Sequence, residues 1–233
     1  MEQTNQARSP DARRSRQRGQ SLPEFLIVVP VFIFLVLLIF QLVLVYRAKS
    51  VLDYAALMAA RAGAVNNAEL GQMKDGLAQG LVPLYATETG TAGVAKALVK
   101  AKLDMVLNAK IEIVSPTKAS WNEFKEKQYD GRQALPNDNL AFRTHDIGAS
   151  GVNVQDANIL KIRVTYDYPL IVPFVDRVMR GESDYVKSNG FFDPGKVHMK
   201  NPALSGGRHF RIPLESYAIV RMQTPIYETK HLP

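Results

Sequence analysis

Glu24 is the residue whose position in the sequence indicates a chemical role most directly. It precedes a long apolar run, and no other charged residue follows until Arg47. A carboxylate at a membrane is energetically costly and usually has a partner or a purpose. Cleavage after Gly19 would make Gln20 the first residue, and its new α-amino group would lie near Glu24, at i and i+4, in the same chain or in an adjacent subunit. The alternative is an ordinary first-turn acid that interacts favourably with the helix dipole.

No other set of residues predicts catalysis or metal binding. The sequence has no cysteine, and its four histidines lack the spacing of a zinc site: His145, His198, His209 and His231. The glycine- and serine-containing stretches 148–151 and 205–207 fit turns better than a nucleophile elbow or a phosphate loop. We therefore predict no catalytic residue, no cofactor and no metal site, and we expect a protein that is not an enzyme.

The element that positions Glu24 is the apolar run Phe25–Tyr46. At ~1.5 Å rise per residue its 22 residues cover ~33 Å, enough to cross the ~30 Å hydrocarbon core of a bilayer. The run therefore predicts a transmembrane helix. Pro30 lacks an amide hydrogen and clashes with the preceding turn, so we expect a bend near this residue.

A basic leader precedes the apolar run. Residues 1–19 contain five arginines against Glu2 and Asp11: Arg8, Arg13, Arg14, Arg16 and Arg18. The positive-inside rule predicts a cytoplasmic N-terminus, a single pass through the membrane, and a C-terminal part outside the cytoplasm. The apolar run is longer than that of an ordinary secretory signal, and no small-residue cleavage site follows it, so we expect the helix to remain in the mature protein.

The charge of the chain does not predict a nucleic-acid partner. The formal net charge is +7, and much of it lies in the leader. Membrane topology and attraction to anionic lipid explain the basic cluster Arg13, Arg14, Arg16 and Arg18 better than DNA does. The residues beyond the helix suffice for one domain with a hydrophobic core, and without cysteine this domain does not depend on disulfides.

The segment around Glu24 resembles a known family. Arg18-Gly19-Gln20-Ser21-Leu22-Pro23-Glu24-Phe25, followed by a long apolar helix, is similar to the processing segment of type IV prepilins, and most of all to the TadE-like pseudopilins of tight-adherence (Flp) pilus systems. The stretches 46–48, 59–65 and 221–225 are also similar to these proteins. The resemblance implies that a prepilin peptidase cuts after Gly19 and that Glu24 and Phe25 matter for assembly. It also implies other pilin-like subunits and the pilus assembly machinery as partners, besides membrane lipid.

Beyond the membrane the helical pattern continues. Apolar residues recur at three- and four-residue spacing from Ala48 to Val65, and Asn66-Asn67 supplies a break. We predict one helix from Leu22 to Val65. Its second half is rich in small residues, which could allow close packing against a sheet, the interpretation we favour, or against other helices in a filament: Ala55, Ala56, Ala59, Ala60, Ala62, Gly63 and Ala64.

The remaining sequence predicts an α+β domain with an antiparallel, pilin-like sheet on which the long helix packs. The division is a leader (1–19), a membrane helix (20–46), a juxtamembrane amphipathic helix (47–66) and an exported domain (67–233). Apolar periodicity predicts helices within 69–83 and 93–109, a short helix within 174–180, and strands at 111–114, 160–168, 210–214 and 217–222. The long loops 129–151 and 181–207 are candidate contact surfaces.

Two interpretations of function follow from these features. The first is a minor pilin-like subunit that is processed after Gly19 and contributes to assembly of a tight-adherence pilus. The second is an unprocessed, single-pass membrane protein with a periplasmic binding or scaffold domain, in which Gly19 and Glu24 are incidental. Substituting Glu24 separates them, because an anchor should lose little whereas a pilus subunit should fail to assemble.

Overall fold

The computed structural model describes residues 21–172, 175, 211–227 and 229–233. In chain order the helices are α1 (Ser21–Val65), α2 (Leu70–Tyr85), α3 (Gly90–Asn108), α4 (Lys118–Phe124) and α5 (Val154–Ala157). The strands are β1 (Ala109–Ser115), β2 (Glu126–Lys127), β3 (Gln133–Ala134), β4 (Ile159–Pro169) and β5 (Arg211–Arg221), and a 3-10 turn spans Leu140–Phe142. The predicted α+β class is confirmed.

The helix α1 is continuous over 45 residues, as the sequence predicts. It runs through Pro30 without interruption, and the bend expected there stays a prediction. The helix ends at the predicted asparagines, where Asn67 and Ala68 both have positive φ angles (55° and 58°). The Asn66 side chain donates to the carbonyl oxygen of Ala62 (2.8 Å), which satisfies one of the free carbonyls of the last turn.

Three antiparallel strands form the main sheet in the order β1-β4-β5. The central strand β4 confirms the predicted alternation. Its inward-facing residues are buried and the residues between them are only partly covered, as a half-buried strand requires. The inward residues are Leu160, Ile162, Val164 and Tyr166. Residues 109–113 of β1 pair with residues 162–166 of β4, opposite the side taken by β5.

The prediction of two separate strands at 210–214 and 217–222 is wrong. The structure has one strand, β5, paired with β4 over its whole length. Pro213 is tolerated because β5 lies at an edge of the described sheet, where a proline nitrogen needs no partner. The hydroxyl of Ser216, in the middle of this strand, is buried and donates to Asp53 of α1 (2.7 Å).

The core lies where the second half of α1 packs against α2 on one side and against β4 and β5 on the other. Small residues permit this packing. A Cβ added at Gly80 would overlap the backbone of Ala55, and one added at Gly76 would lie 2.9 Å from the carbonyl oxygen of Met58. The buried alanines of α1 therefore serve contacts within the chain, with a neighbouring helix as well as with the sheet.

Of the two predicted long loops, the structure describes the first and not the second. Residues 129–151 include β3 and the 3-10 turn and are held to the C-terminal segment, where Leu135 and Ile226 exchange backbone hydrogen bonds (3.0 and 3.2 Å). The indole of Trp121 donates to the carbonyl oxygen of Ile226 (2.7 Å) in the same region. The loop 181–207 and the short helix expected within 174–180 lie outside the described residues, apart from Val175.

Candidate functional site: the N-terminal helix and its junction with the domain

The first half of α1 is exposed in the described chain. From Pro23 to Phe40 no residue is buried, and the large apolar side chains of Phe25 and Phe32 are 66% and 63% exposed. Among the described residues α1 is the one helix long and apolar enough to cross a membrane, by length and composition. The surface of this half is suited to lipid or to apolar faces of other helices, since burial in neither requires a polar partner.

Of the residues predicted to form the processing and assembly site, the structure describes Glu24, Phe25 and Pro30. Glu24 lies exposed in the first turn of α1, and Phe25 follows it with an exposed ring. Gly19, Gln20 and the arginine cluster Arg13, Arg14, Arg16 and Arg18 lie outside the described residues. The proximity of Gln20 and Glu24 therefore stays a prediction.

Within the described part of the chain, the domain first covers α1 at Gln41, a residue that the sequence analysis did not single out. Gln41 is fully buried, and its Oε1 accepts hydrogen bonds from the amides of Ile171 (3.2 Å) and Val172 (2.9 Å). Val45 and Ala48, one and two turns later, are also buried. A signal was present in the sequence, because Gln41 is the one polar residue between Phe25 and Val45 and an isolated polar residue in an apolar run usually has a partner.

A second set of contacts fixes the far end of α1. The carbonyl oxygen of Ala64 accepts from the amide of Gln223 (2.9 Å) and from the hydroxyl of Thr224 (3.1 Å). Asn67 completes the joint, since its amide donates to Thr224 Oγ1 (2.8 Å) and its side chain donates to the carbonyl oxygen of Pro225 (2.6 Å). The stretch 221–225, which resembles the family in sequence, thus contacts the end of the helix.

A buried polar cluster joins the helices to the sheet. Asp104 of α3 accepts from the hydroxyls of Tyr85 (2.6 Å) and Tyr166 (2.7 Å) and forms an ion pair with Arg211 (3.3 Å). The side chain of Asn108 also donates to Asp104 (2.8 Å). Sequence reasoning missed this cluster, because its members are far apart along the chain.

The electrostatics of this cluster favour a structural role. Burial raises the pKa of the Tyr85 hydroxyl well above its ordinary value, and the negative charge of Asp104 adds to the effect. Burial, with smaller contributions from Tyr85 and Asp104, raises the pKa of Tyr166 in the same way. Both hydroxyls therefore stay protonated at neutral pH and remain able to donate. The arrangement cross-links α2, α3, β4 and β5.

No metal site is present in the described part of the chain, where no group of three or more histidine, cysteine or acidic side chains converges. His198 and His209 lie outside the described residues. A cavity of about 690 Å³ lies on the sheet, lined in part by Glu112, Arg163 and Tyr217. Glu112 and Arg163 are already paired with each other.

Comparison with known families matches residues 19–61 to the family described as TadE-like protein. The chain is TadE-like in this segment. The match begins at Gly19 and includes Glu24, the whole exposed half of α1 and most of the half that packs on the domain. The match suggests that the protein is associated with the tight-adherence pilus system. Comparisons with curated proteins and with solved structures returned no match. The family match does not extend to the rest of the α+β domain.

Proposed function

We propose that this TadE-like protein is a pseudopilin, a minor pilin-like subunit that contributes to assembly of a tight-adherence pilus. The observation that carries the proposal is the construction of α1. One continuous helix has an exposed apolar half with Glu24 in its first turn, and a second half that is the spine of a folded domain. A helix with an uncovered apolar half can exchange lipid for other subunits without changing its own fold.

Maturation in this proposal is a cut after Gly19 by a prepilin peptidase on the cytoplasmic face. Support comes from the family match, which begins at this residue, and from the exposed position of Glu24. An exposed carboxylate is available to the new α-amino group of Gln20, in the same chain or in the next subunit, as the i, i+4 spacing allows. Neutralisation by such a partner would lower the cost of placing Glu24 among apolar helices.

The proposed location is the inner membrane, with the N-terminus in the cytoplasm and the domain outside, followed by incorporation in the pilus. The partners are the prepilin peptidase, other pilin-like subunits, the assembly machinery and membrane lipid. We propose a non-catalytic role and no nucleic-acid partner. The buried ionisable groups Asp104 and Arg211 support this view, because they bond to each other and to neighbouring elements of the fold.

The test is the N-terminal residue and intact mass of the protein isolated from membranes, with and without the cognate prepilin peptidase. We expect a chain that begins at Gln20 only when the peptidase is present. Gly19→Leu should block maturation, whereas Gly71→Ala should leave maturation intact, since no atom lies within 4 Å of the Cβ it adds. A chain that keeps its arginine leader under both conditions would instead indicate an unprocessed, membrane-anchored binding or scaffold domain.

A further inference from the structure

The contact at Gln41 lies at a level of α1 that the bilayer should reach. The exposed stretch Pro23–Phe40 has 18 residues and spans ~27 Å, which is shorter than the ~30 Å of a bilayer core. If this helix crosses the membrane, as the proposed function requires, the hydrocarbon must extend past Phe40. The level of Gln41 is therefore still apolar, and the domain already covers one side of the helix there.

The chain that leaves β4 descends along α1 toward this level. Tyr168 lies within electrostatic range of Arg47, the first charged residue after the apolar run. Four residues later, Val172 donates its amide to Gln41. Gln41 lies six positions before Arg47, a distance of ~9 Å along the helix axis. The segment after Pro169 therefore extends from the level of the first charge into the apolar section of α1.

Two properties of this segment suit it to lipid. Its side chains Leu170, Ile171 and Val172 are apolar, and Ile171 is 54% exposed. Its backbone is non-helical, and such backbone is tolerated in the hydrocarbon region only where protein satisfies its polar groups. The Oε1 atom of Gln41 accepts from the amides of both Ile171 and Val172. A glutamine inside an apolar run thus has a specific use.

We propose that the turn Leu170–Val172 contacts lipid at the outer boundary of the bilayer that α1 crosses, with Ile171 inserted between acyl chains and Gln41 holding the turn against the helix. The domain would then be attached to the membrane at two adjacent points, α1 and this turn. Two attachment points would fix the orientation of the domain relative to the bilayer and prevent its rotation about the axis of α1. The occupant is phospholipid, since the turn is continuous with the lipid-facing surface of α1.

The test uses the full chain, which has no cysteine and so accepts one label at a time. A spin label is placed at Ile171→Cys, at Phe32→Cys in the exposed half of α1, and at Ile219→Cys, an isoleucine of β5 with 61% exposure. Ile219 is paired with Lys161 near the far end of the sheet, so it is a matched control away from Gln41. Each variant is reconstituted in vesicles of phosphatidylethanolamine and phosphatidylglycerol, and its accessibility to oxygen and to a water-soluble nickel reagent is measured.

We expect the oxygen-to-nickel accessibility ratio to be several-fold higher at Ile171 than at Ile219, and highest at Phe32. A high ratio at Phe32 with equal ratios at Ile171 and Ile219 would overturn this inference while leaving the membrane helix intact. A low ratio at Phe32 would overturn both this inference and the proposed membrane insertion. Strong protection of Ile171 from both reagents, with dipolar broadening of its spectrum, would show that a second copy of the chain covers it, and would also overturn lipid contact.

A second variant tests the role assigned to Gln41. Gln41→Leu removes the acceptor of both amides. Unpaired amides are costly in hydrocarbon, so the turn should move toward the aqueous phase, and the oxygen-to-nickel ratio of the label at Ile171 should fall. The ratios at Phe32 and Ile219 should not change. An unchanged ratio at Ile171 in this variant would show that Gln41 does not hold the turn at the membrane.

Discussion

The two halves of α1 have different side-chain sizes and different surroundings. Pro23–Phe40 contains no alanine or glycine, and its large side chains project from the described fold; Gln41–Val65 contains seven alanines and one glycine, and much of it is buried. Large apolar side chains suit a helix surrounded by lipid or by other chains, whereas small ones let backbones approach closely. Side-chain size within one helix thus marks where the domain begins, and domain stability should depend on the second half and its partners alone.

The largest loss of domain stability is expected when the buried cluster loses its charge. Asp104→Asn removes the carboxylate that pairs with the almost fully buried guanidinium of Arg211. We expect the free energy of unfolding to fall by about 3 kcal/mol, as for other broken buried pairs. Denaturant unfolding of the full chain in detergent micelles, followed by the fluorescence of Trp121, measures this change because the single tryptophan lies in the domain.

The matched control for this change is Asp75→Asn. Asp75 of α2 pairs with Lys102 of α3, the helix that carries Asp104, but both side chains are about half exposed. Solvent screening limits such pairs to about 0–1 kcal/mol. Equal losses in the two variants would contradict a special contribution from the buried cluster.

The next largest change in the free energy of unfolding is expected where α1 and α2 approach closely. Adding a methyl group should destabilise the domain at one glycine of α2 and stabilise it at another. Gly80→Ala pushes a methyl group into the backbone of Ala55 and should cost about 1–3 kcal/mol. Gly71→Ala adds the same methyl group where nothing lies within 4 Å, and it should stabilise the helix by about 0.5–1 kcal/mol. The same fluorescence-detected unfolding measures both variants. A gain at Gly80 would show that α2 can move away from α1 without cost.

A smaller effect is expected above pH 10, where the domain should lose stability. Burial raises the pKa values of the Tyr85 and Tyr166 hydroxyls in the folded chain. In the unfolded chain a tyrosine hydroxyl ionises near pH 10. Their contribution is therefore fully present below about pH 10 and is lost as the pH rises, by up to about 1.4 kcal/mol per pH unit for each tyrosine. Unfolding measured from pH 9 to 11 should show a shallower slope in Tyr85→Phe. An unchanged slope would mean that Tyr85 ionises as readily in the folded chain as in the unfolded one.

The features that sequence predicted correctly are those encoded by neighbouring residues. The apolar run and the break at Asn66-Asn67 define α1, and the strict alternation from Leu160 to Tyr168 defines β4. Both patterns repeat within a few residues, so no knowledge of distant partners is needed. The α+β class followed from the order of such segments.

The features that sequence missed depend on residues far apart in the chain. Gln41 bonds to residues 130 positions later, and the partner of Asp104 in its ion pair is 107 positions away. Local pattern gives a polar residue in an apolar run, or an acid on a helix, but not the identity of its partner. The division of β5 into two strands failed for a related reason, because the buried Ser216 within it bonds to Asp53 of α1, 163 positions away.

The smallest effect on stability is expected at Glu24, where the effect on assembly should be large. Glu24 is exposed in the first turn of α1, so Glu24→Ala should change domain unfolding by less than about 1 kcal/mol, the range of a helix-dipole interaction. Incorporation of the protein into pili, measured by immunoblot of sheared pilus fractions, should nevertheless fail, because the carboxylate can no longer meet the α-amino group of Gln20. Glu24→Gln, which keeps the size of the side chain and removes its charge, should fail as well.

The control is Glu88→Ala, which removes an exposed carboxylate from the domain and should incorporate normally. Normal incorporation of Glu24→Ala would show that assembly does not need this carboxylate, whereas absence of the unaltered protein from the pilus fractions would favour an anchored domain.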